Sequence, residues 1–74
     1  MTIDNLLGVL PPKTPVRICL MQGRINDNFV CGTTGMHNTQ KIRDELRVRK
    51  ALQNKVDTIY PLWHAQELYI ECSS

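Results

Sequence analysis

Apolar residues recur at two different periods along this chain, and the switches between them mark out its elements. In "MTIDNLLGVLPPKT", Ile3, Leu6, Leu7 and Leu10 stand at helical spacing, which gives a first helix one apolar face. Thr2 is placed to cap that helix, and Asp4 in its first turn favours the helix dipole. Pro11-Pro12 ends it, because proline supplies no amide donor and clashes with the preceding turn. The pattern then alternates. Val16, Ile18 and Leu20 point one way and Arg17, Cys19 and Met21 the other, which predicts a half-buried strand ending near Gly23. "GRINDN" (residues 23–28) is turn chemistry, and "NFVCGTT" reads as the return arm of a hairpin.

A loop from Gly35 to Thr39 leads to a second helix, predicted from about Thr39 to Gln53 and capped by Asn38 or Thr39. Ile42, Leu46, Val48 and Leu52 are assigned to one wide apolar sector, with Glu45 and Arg49 at i and i+4 able to pair along its edge. "KVDTIYP" and "QELYIEC" close the chain as two strands, with Leu68, Ile70 and Cys72 alternating against Glu67, Tyr69 and Glu71. The order is α-β-β-α-β-β. Hairpin-connected strands with helices covering one face predict an α+β domain of two layers, a small antiparallel sheet with two helices, in one domain over residues 1–74. A chain this short buries roughly 60% of the surface its unfolded form exposes, so a deep enclosed active site is not expected.

Charge adds one feature to this plan. The formal net charge is only +2, yet five of the nine basic residues fall in "KIRDELRVRK", residues 41–50. Arg43, Arg47 and Lys50 line up at i, i+4 and i+7 on the side of the second helix away from its apolar sector. Three readings of this stripe stand side by side: a solvated helix face, a phosphate-contacting surface, or a surface that docks on an acidic or nucleic-acid-like protein. No aromatic residue lies on the helix to stack on bases, and a nucleic-acid binder of this size is usually more basic. Arginine is well suited to bidentate contacts with carboxylates.

Candidate chemistry is sparse. Cys19, Cys31 and Cys72 are odd in number and lack C-x-x-C spacing, and neither they nor His37 and His64 have local metal-ligand spacing. Free thiols suit a reducing compartment. Cys31 with His37 lacks an orienting third group, the four aspartates form no visible dyad, and "GTTG" lacks the lysine and spacing of a phosphate loop. No catalytic residue, metal or cofactor is expected. No basic segment followed by an apolar run suggests a signal peptide, and no apolar run approaches the ~20 residues that span a bilayer, so no membrane partner is expected either.

The turn "PLWHAQ", residues 61–66, is unusually apolar for a segment whose backbone faces water. Leu62, Trp63 and Ala65 stand where polar residues are normal, and Trp63 is the only tryptophan. Two readings remain open: Trp63 folds back to cap the small core, or it is an exposed anchor for a partner or for a second copy of the chain.

Four separated pieces, "TIDNLLGVLPPKTPVRI", Gly32-Thr33, "ALQNKV", and "IYP" followed by "LYIE", together resemble a group of small accessory proteins carried by phages and prophages of Firmicutes. Two departures stand out: the segment between Gly32-Thr33 and Val56 is longer and more basic than in that group, and the turn after Tyr60-Pro61 is apolar instead of polar. The resemblance implies a protein of a mobile element that acts in the cytoplasm of a bacterial host on host machinery. With the missing catalytic chemistry, it leads to the expectation of a non-enzymatic, stoichiometric protein-binding factor, most concretely an anti-CRISPR-like inhibitor of a host defence nuclease or nuclease complex. Arg43, Arg47, Lys50, Leu62, Trp63 and His64 are the expected partner-binding residues. A small nucleic-acid-binding regulator using the basic helix and a self-associating structural phage module, for instance a homodimer, are the alternatives.

Overall fold

Thr2 caps the first helix, α1 (Ile3–Val9), as its place in the sequence predicts. The Asn5 amide donates to Thr2 Oγ1 at 3.2 Å, and the Thr2 amide donates to Asn5 Oδ1 at 3.3 Å, a reciprocal capping box. Leu10 leaves the helix with extended backbone, the conformation that a following proline imposes. The computed structural model describes residues 1–21 and 29–74, so the expected turn over residues 23–28 and the strand end near Gly23 lie outside the described residues. After α1 come β1 (Pro15–Met21), β2 (Phe29–Thr33), α2 (Met36–Val48), β3 (Lys55–Leu62) and β4 (Glu67–Ser73). The order α-β-β-α-β-β and the α+β class are as the apolar pattern predicts.

The four strands form one sheet in the order β2-β1-β4-β3. β1 with β2 and β3 with β4 are antiparallel, but the two central strands, β1 and β4, run parallel, with Val16 opposite Leu68 and Leu20 opposite Cys72. The expectation of a wholly antiparallel sheet is corrected here: the sheet is mixed. Each pair of neighbouring strands in the sequence does form its own antiparallel ladder, but the two ladders join side by side along their most apolar strands. That join buries Val16, Ile18, Leu20, Ile70 and Cys72 at the centre of the sheet.

One face of the sheet carries both helices. Ile3, Leu6 and Leu7 of α1 and Ile42 and Leu46 of α2 share a buried cluster with Val16, Ile18, Leu20, Val30, Ile70 and Cys72. At Gly32 the approach is so close that a Cβ would lie 2.9 Å from Ile42 Cγ1, which fits a residue without a side chain. The loop between α1 and β1 is tied down by Thr34, a buried hydroxyl that donates to Pro11 O at 2.6 Å and accepts from the Thr14 amide at 2.9 Å. The "PPKT" turn and the β2–α2 junction are thereby one hydrogen-bonded corner.

Helix α2 departs from its predicted span of Thr39–Gln53 at both ends. It starts at Met36 after Gly35, and Thr39 sits inside the first turn, where its hydroxyl accepts from the Gly35 amide at 2.9 Å. It ends at Val48 in a Schellman arrangement: the Ala51 amide donates to Leu46 O at 2.8 Å and the Lys50 amide to Arg47 O at 3.0 Å, with Lys50 left-handed at φ 59°. Ala51 and Leu46 are both buried, which supplies the apolar contact that accompanies this cap. Val48 is 79% exposed, a correction to its place in the apolar sector. At about 100° per residue it stands roughly 200° round the helix from Leu46. Leu52, beyond the helix, still packs against the core.

Candidate partner-binding surface

The face of the sheet opposite the helices has no layer over it among the described residues, and the strand registers set its residues in rows. Tyr60, Tyr69, Arg17 and Cys31 form one row across β3, β4, β1 and β2. Thr58, Glu71, Cys19 and Phe29 form the next. The Tyr60 and Tyr69 rings lie 4.8 Å apart with a 34° tilt, the offset arrangement that aromatic pairs prefer. Arg17 bridges the sheet: its Nη2 pairs with Glu67 Oε1 at 2.9 Å, and its guanidinium carbon lies 6.0 Å from the Phe29 ring centroid. Tyr60 is 42% exposed and Phe29 39%, so aromatic surface meets solvent at both ends of these rows. Beneath them Cys19 is fully buried, with its thiol donating to Met21 Sδ at 3.7 Å. Partial burial and the neighbouring Cys19 thiol push the Tyr69 hydroxyl up to about 12.

This face ends at the β3–β4 turn. The Ala65 amide donates to Leu62 O at 3.1 Å, closing a β-turn, and Gln66 is left-handed at φ 54°. Trp63, at the second position of that turn, is 83% exposed. The core-cap reading of Trp63 is therefore set aside. The indole stands beside an open recess of about 390 Å³ lined by Pro15, Pro61, Leu62 and Leu68. His64 is exposed on the same turn, and Leu62 is half-buried at the foot of it.

The three basic candidates on α2 fare differently. Arg43 does not project into solvent. It is drawn across to α1, where its Nε donates to Asp4 Oδ1 at 2.9 Å, and both side chains are partly buried. The expectation that it lies on a free basic stripe is corrected to a clamp between the two helices. Arg47 is exposed but pairs with Asp44 at 3.0 Å, and Arg49 pairs with Glu45 at 2.9 Å as the i, i+4 spacing predicts. Lys50 takes the left-handed cap position with its backbone, while its side chain is exposed and lines a shallow recess with Arg47, Leu52 and Gln53. That recess and the one at Trp63 share no residue, and Arg43 lines neither of them. The open sheet face with Tyr60, Tyr69, Arg17 and Phe29 is the feature that the sequence reading did not single out. The alternation of β1 and β4 carried part of the signal, since it sets Arg17 and Tyr69 on the face opposite the helices.

Among the described residues, no group of three or more His, Cys, Asp or Glu side chains gathers to hold a metal ion. Likewise, among the described residues, no helix is long and apolar enough to cross a membrane. Comparison of the chain with known protein families, with curated proteins and with solved structures finds no match.

Proposed function

We propose that this chain acts stoichiometrically, by binding another protein through the aromatic surface that runs from Tyr60 and Tyr69 to the β3–β4 turn, with Trp63 as its anchor. The observation that carries this reading is Trp63, 83% exposed beside an apolar recess on a turn that would ordinarily be polar. An exposed tryptophan flanked by apolar groups is the side chain that most often dominates an interface, where truncation can cost ~2 kcal/mol or more. The most concrete form of the proposal is inhibition of a host defence nuclease in a bacterial cytoplasm, and that part rests on the resemblance to phage-borne accessory proteins. The ion pairs of Arg43, Arg47 and Arg49 weigh against a nucleic-acid surface on α2. The aromatic residues on the sheet face opposite the helices favour self-association as the second reading.

Trp63→Ala tests the proposal. The expected result is a melting temperature within about 2 °C of the parent, since an exposed side chain away from the core contributes little to stability. Capture of the partner from nuclease-treated host lysate is expected to fail, and protection of an infecting phage from its host's defence nuclease to be lost. A large drop in melting temperature, or unchanged capture, refutes the anchor. A concentration-dependent dimer of the parent that Tyr60→Ala dissociates would transfer the aromatic face to self-association.

A further inference from the structure

The two edges of the sheet are not alike. At β3 the first residues are already paired, since the Val56 amide donates to Met1 O at 2.9 Å and Thr2 bridges to Lys55. The ladder then shifts register at Asp57, and Pro61 offers no amide. A covered start, an irregularity and a proline are the devices that keep a strand edge from accepting another strand. β2, "FVCGT", has no proline, charged residue or bulge. Its outer edge pairs with no other strand among the described residues.

The backbone groups on that edge can be assigned. The Thr34 amide donates to Thr14 O at 2.9 Å, which makes Thr14 and Thr34 a hydrogen-bonded pair. Such pairs alternate along an antiparallel ladder, so Val16–Gly32 and Ile18–Val30 are also bonded inward. Phe29, Cys31 and Thr33 therefore turn their N–H and C=O groups outward. Pro15, opposite Thr33, fits this phase, because its missing amide falls at a pair that exchanges no bonds.

Beside this edge runs a groove of about 400 Å³ between β2 and α2. Ile42 packs down onto Gly32 at its floor. Lys41, Glu45 and Arg49 form the α2 side. Glu45 and Arg49 neutralise one another, while Lys41 makes no ion pair among the described residues. Among the described residues the rim thus carries one ammonium outside any ion pair, next to a row of backbone donors and acceptors that no other described strand takes up.

We propose that β2 accepts an extended acidic peptide of a partner protein as a fifth strand, with carboxylates turned toward Lys41 and apolar side chains turned toward Phe29 and Cys31. Main-chain hydrogen bonds to Phe29, Cys31 and Thr33 supply affinity, and the alternation of side chains supplies specificity. A second copy of β2 would set one Lys41-bearing rim beside another, and nucleic acid has no alternating donor–acceptor backbone to match the edge. This surface is separate from Trp63 and does not depend on it.

The probe is a fluorescein-labelled seven-residue peptide of alternating glutamate and valine, compared with the same peptide carrying lysine for glutamate. Fluorescence anisotropy reads the binding, and amide NMR shifts locate it. The expected result is binding of the acidic peptide at least about tenfold tighter than that of the basic one. Shifts are expected to centre on Phe29, Cys31 and Thr33. Lys41→Glu, at an exposed position that leaves the core alone, is expected to reverse the preference. Cys31→Pro removes one outward donor and no inward bond, and is expected to abolish binding. Trp63→Ala is expected to leave the peptide affinity unchanged, which separates this site from the proposed anchor. Equal or absent binding of the two peptides, shifts that map to β3, or an unchanged preference in Lys41→Glu overturns the proposal. So does a peptide-free dimer that is joined through β2.

Discussion

Lys50→Gly is expected to make this protein more stable. Lys50 occupies the left-handed position of the Schellman cap at φ 59°, and its neighbours hold it there through the Ala51–Leu46 and Lys50–Arg47 hydrogen bonds. A residue with a Cβ costs about 1–2 kcal/mol in that conformation. Glycine removes that cost but gives back about 0.5–1 kcal/mol through the greater freedom of its unfolded chain. Loss of a cation near a helix C-terminus subtracts about 0.3 kcal/mol more. The net gain is on the order of 0.5 kcal/mol, which in a domain this small is a rise in melting temperature of about 2–4 °C. Thermal unfolding followed by circular dichroism, run beside urea titration, measures it. Lys50→Ala is the control: alanine keeps the Cβ, so it is expected to match or fall below the parent. A fall in stability for Lys50→Gly refutes the reasoning, as does an equal rise for Lys50→Ala, which would place the effect in the charge and not in the backbone.

Two further outcomes follow from the packing. Asp4→Ala and Arg43→Ala are each expected to destabilise, and their double-mutant cycle to give a coupling of about 0.5–1 kcal/mol that shrinks in high salt, because the pair is only partly buried; zero coupling would mean that the helix clamp is only geometric. Burial pushes the Cys72 thiol up from 9.0 to about 11, against an opposing effect of Asn54. The folded state thus holds this proton more tightly than the unfolded state does, so the associated stability is whole below pH 9 and declines as pH rises from 9 to 11, by an amount on the order of 2 kcal/mol. Denaturant titrations across that window are expected to show a steeper alkaline loss in the parent than in Cys72→Val, and parallel curves would count against the buried thiol.

The parts of the fold legible in the sequence were those with a complete local signal. α1 had a cap, a period and a proline stop, and the structure keeps all three. β1 and β4 alternated cleanly and present the expected faces. The end of α2 was not legible, because its cap uses a lysine where glycine is the usual mark. Its start was misplaced because Thr39 caps backward from inside the helix. Val48 shows that an apolar residue near a sector is not in it until the angle is worked out. The parallel join of β1 and β4 lies beyond any local pattern, since both strands look the same whichever neighbour they choose. At the candidate site, Trp63 drew notice because its turn broke a rule about polarity, but only geometry separates a cap from an exposed side chain. Arg43 was misjudged for a related reason: its partner, Asp4, sits 39 positions away.

The parallel pairing of β1 with β4 also governs when this protein becomes a protein. The strand at the centre of its sheet is completed by residues made more than a whole hairpin and a helix later. Until β4 has cleared the ribosome, β1 has an open central edge and the helices lack Ile70 and Cys72 to pack upon. Local hairpins and helices on their own repay little of the chain entropy they cost. The nascent chain is therefore expected to stay unfolded until β4 has emerged and to collapse only then. A stop codon before Glu67 would then leave no partial domain, only a chain for proteases to clear.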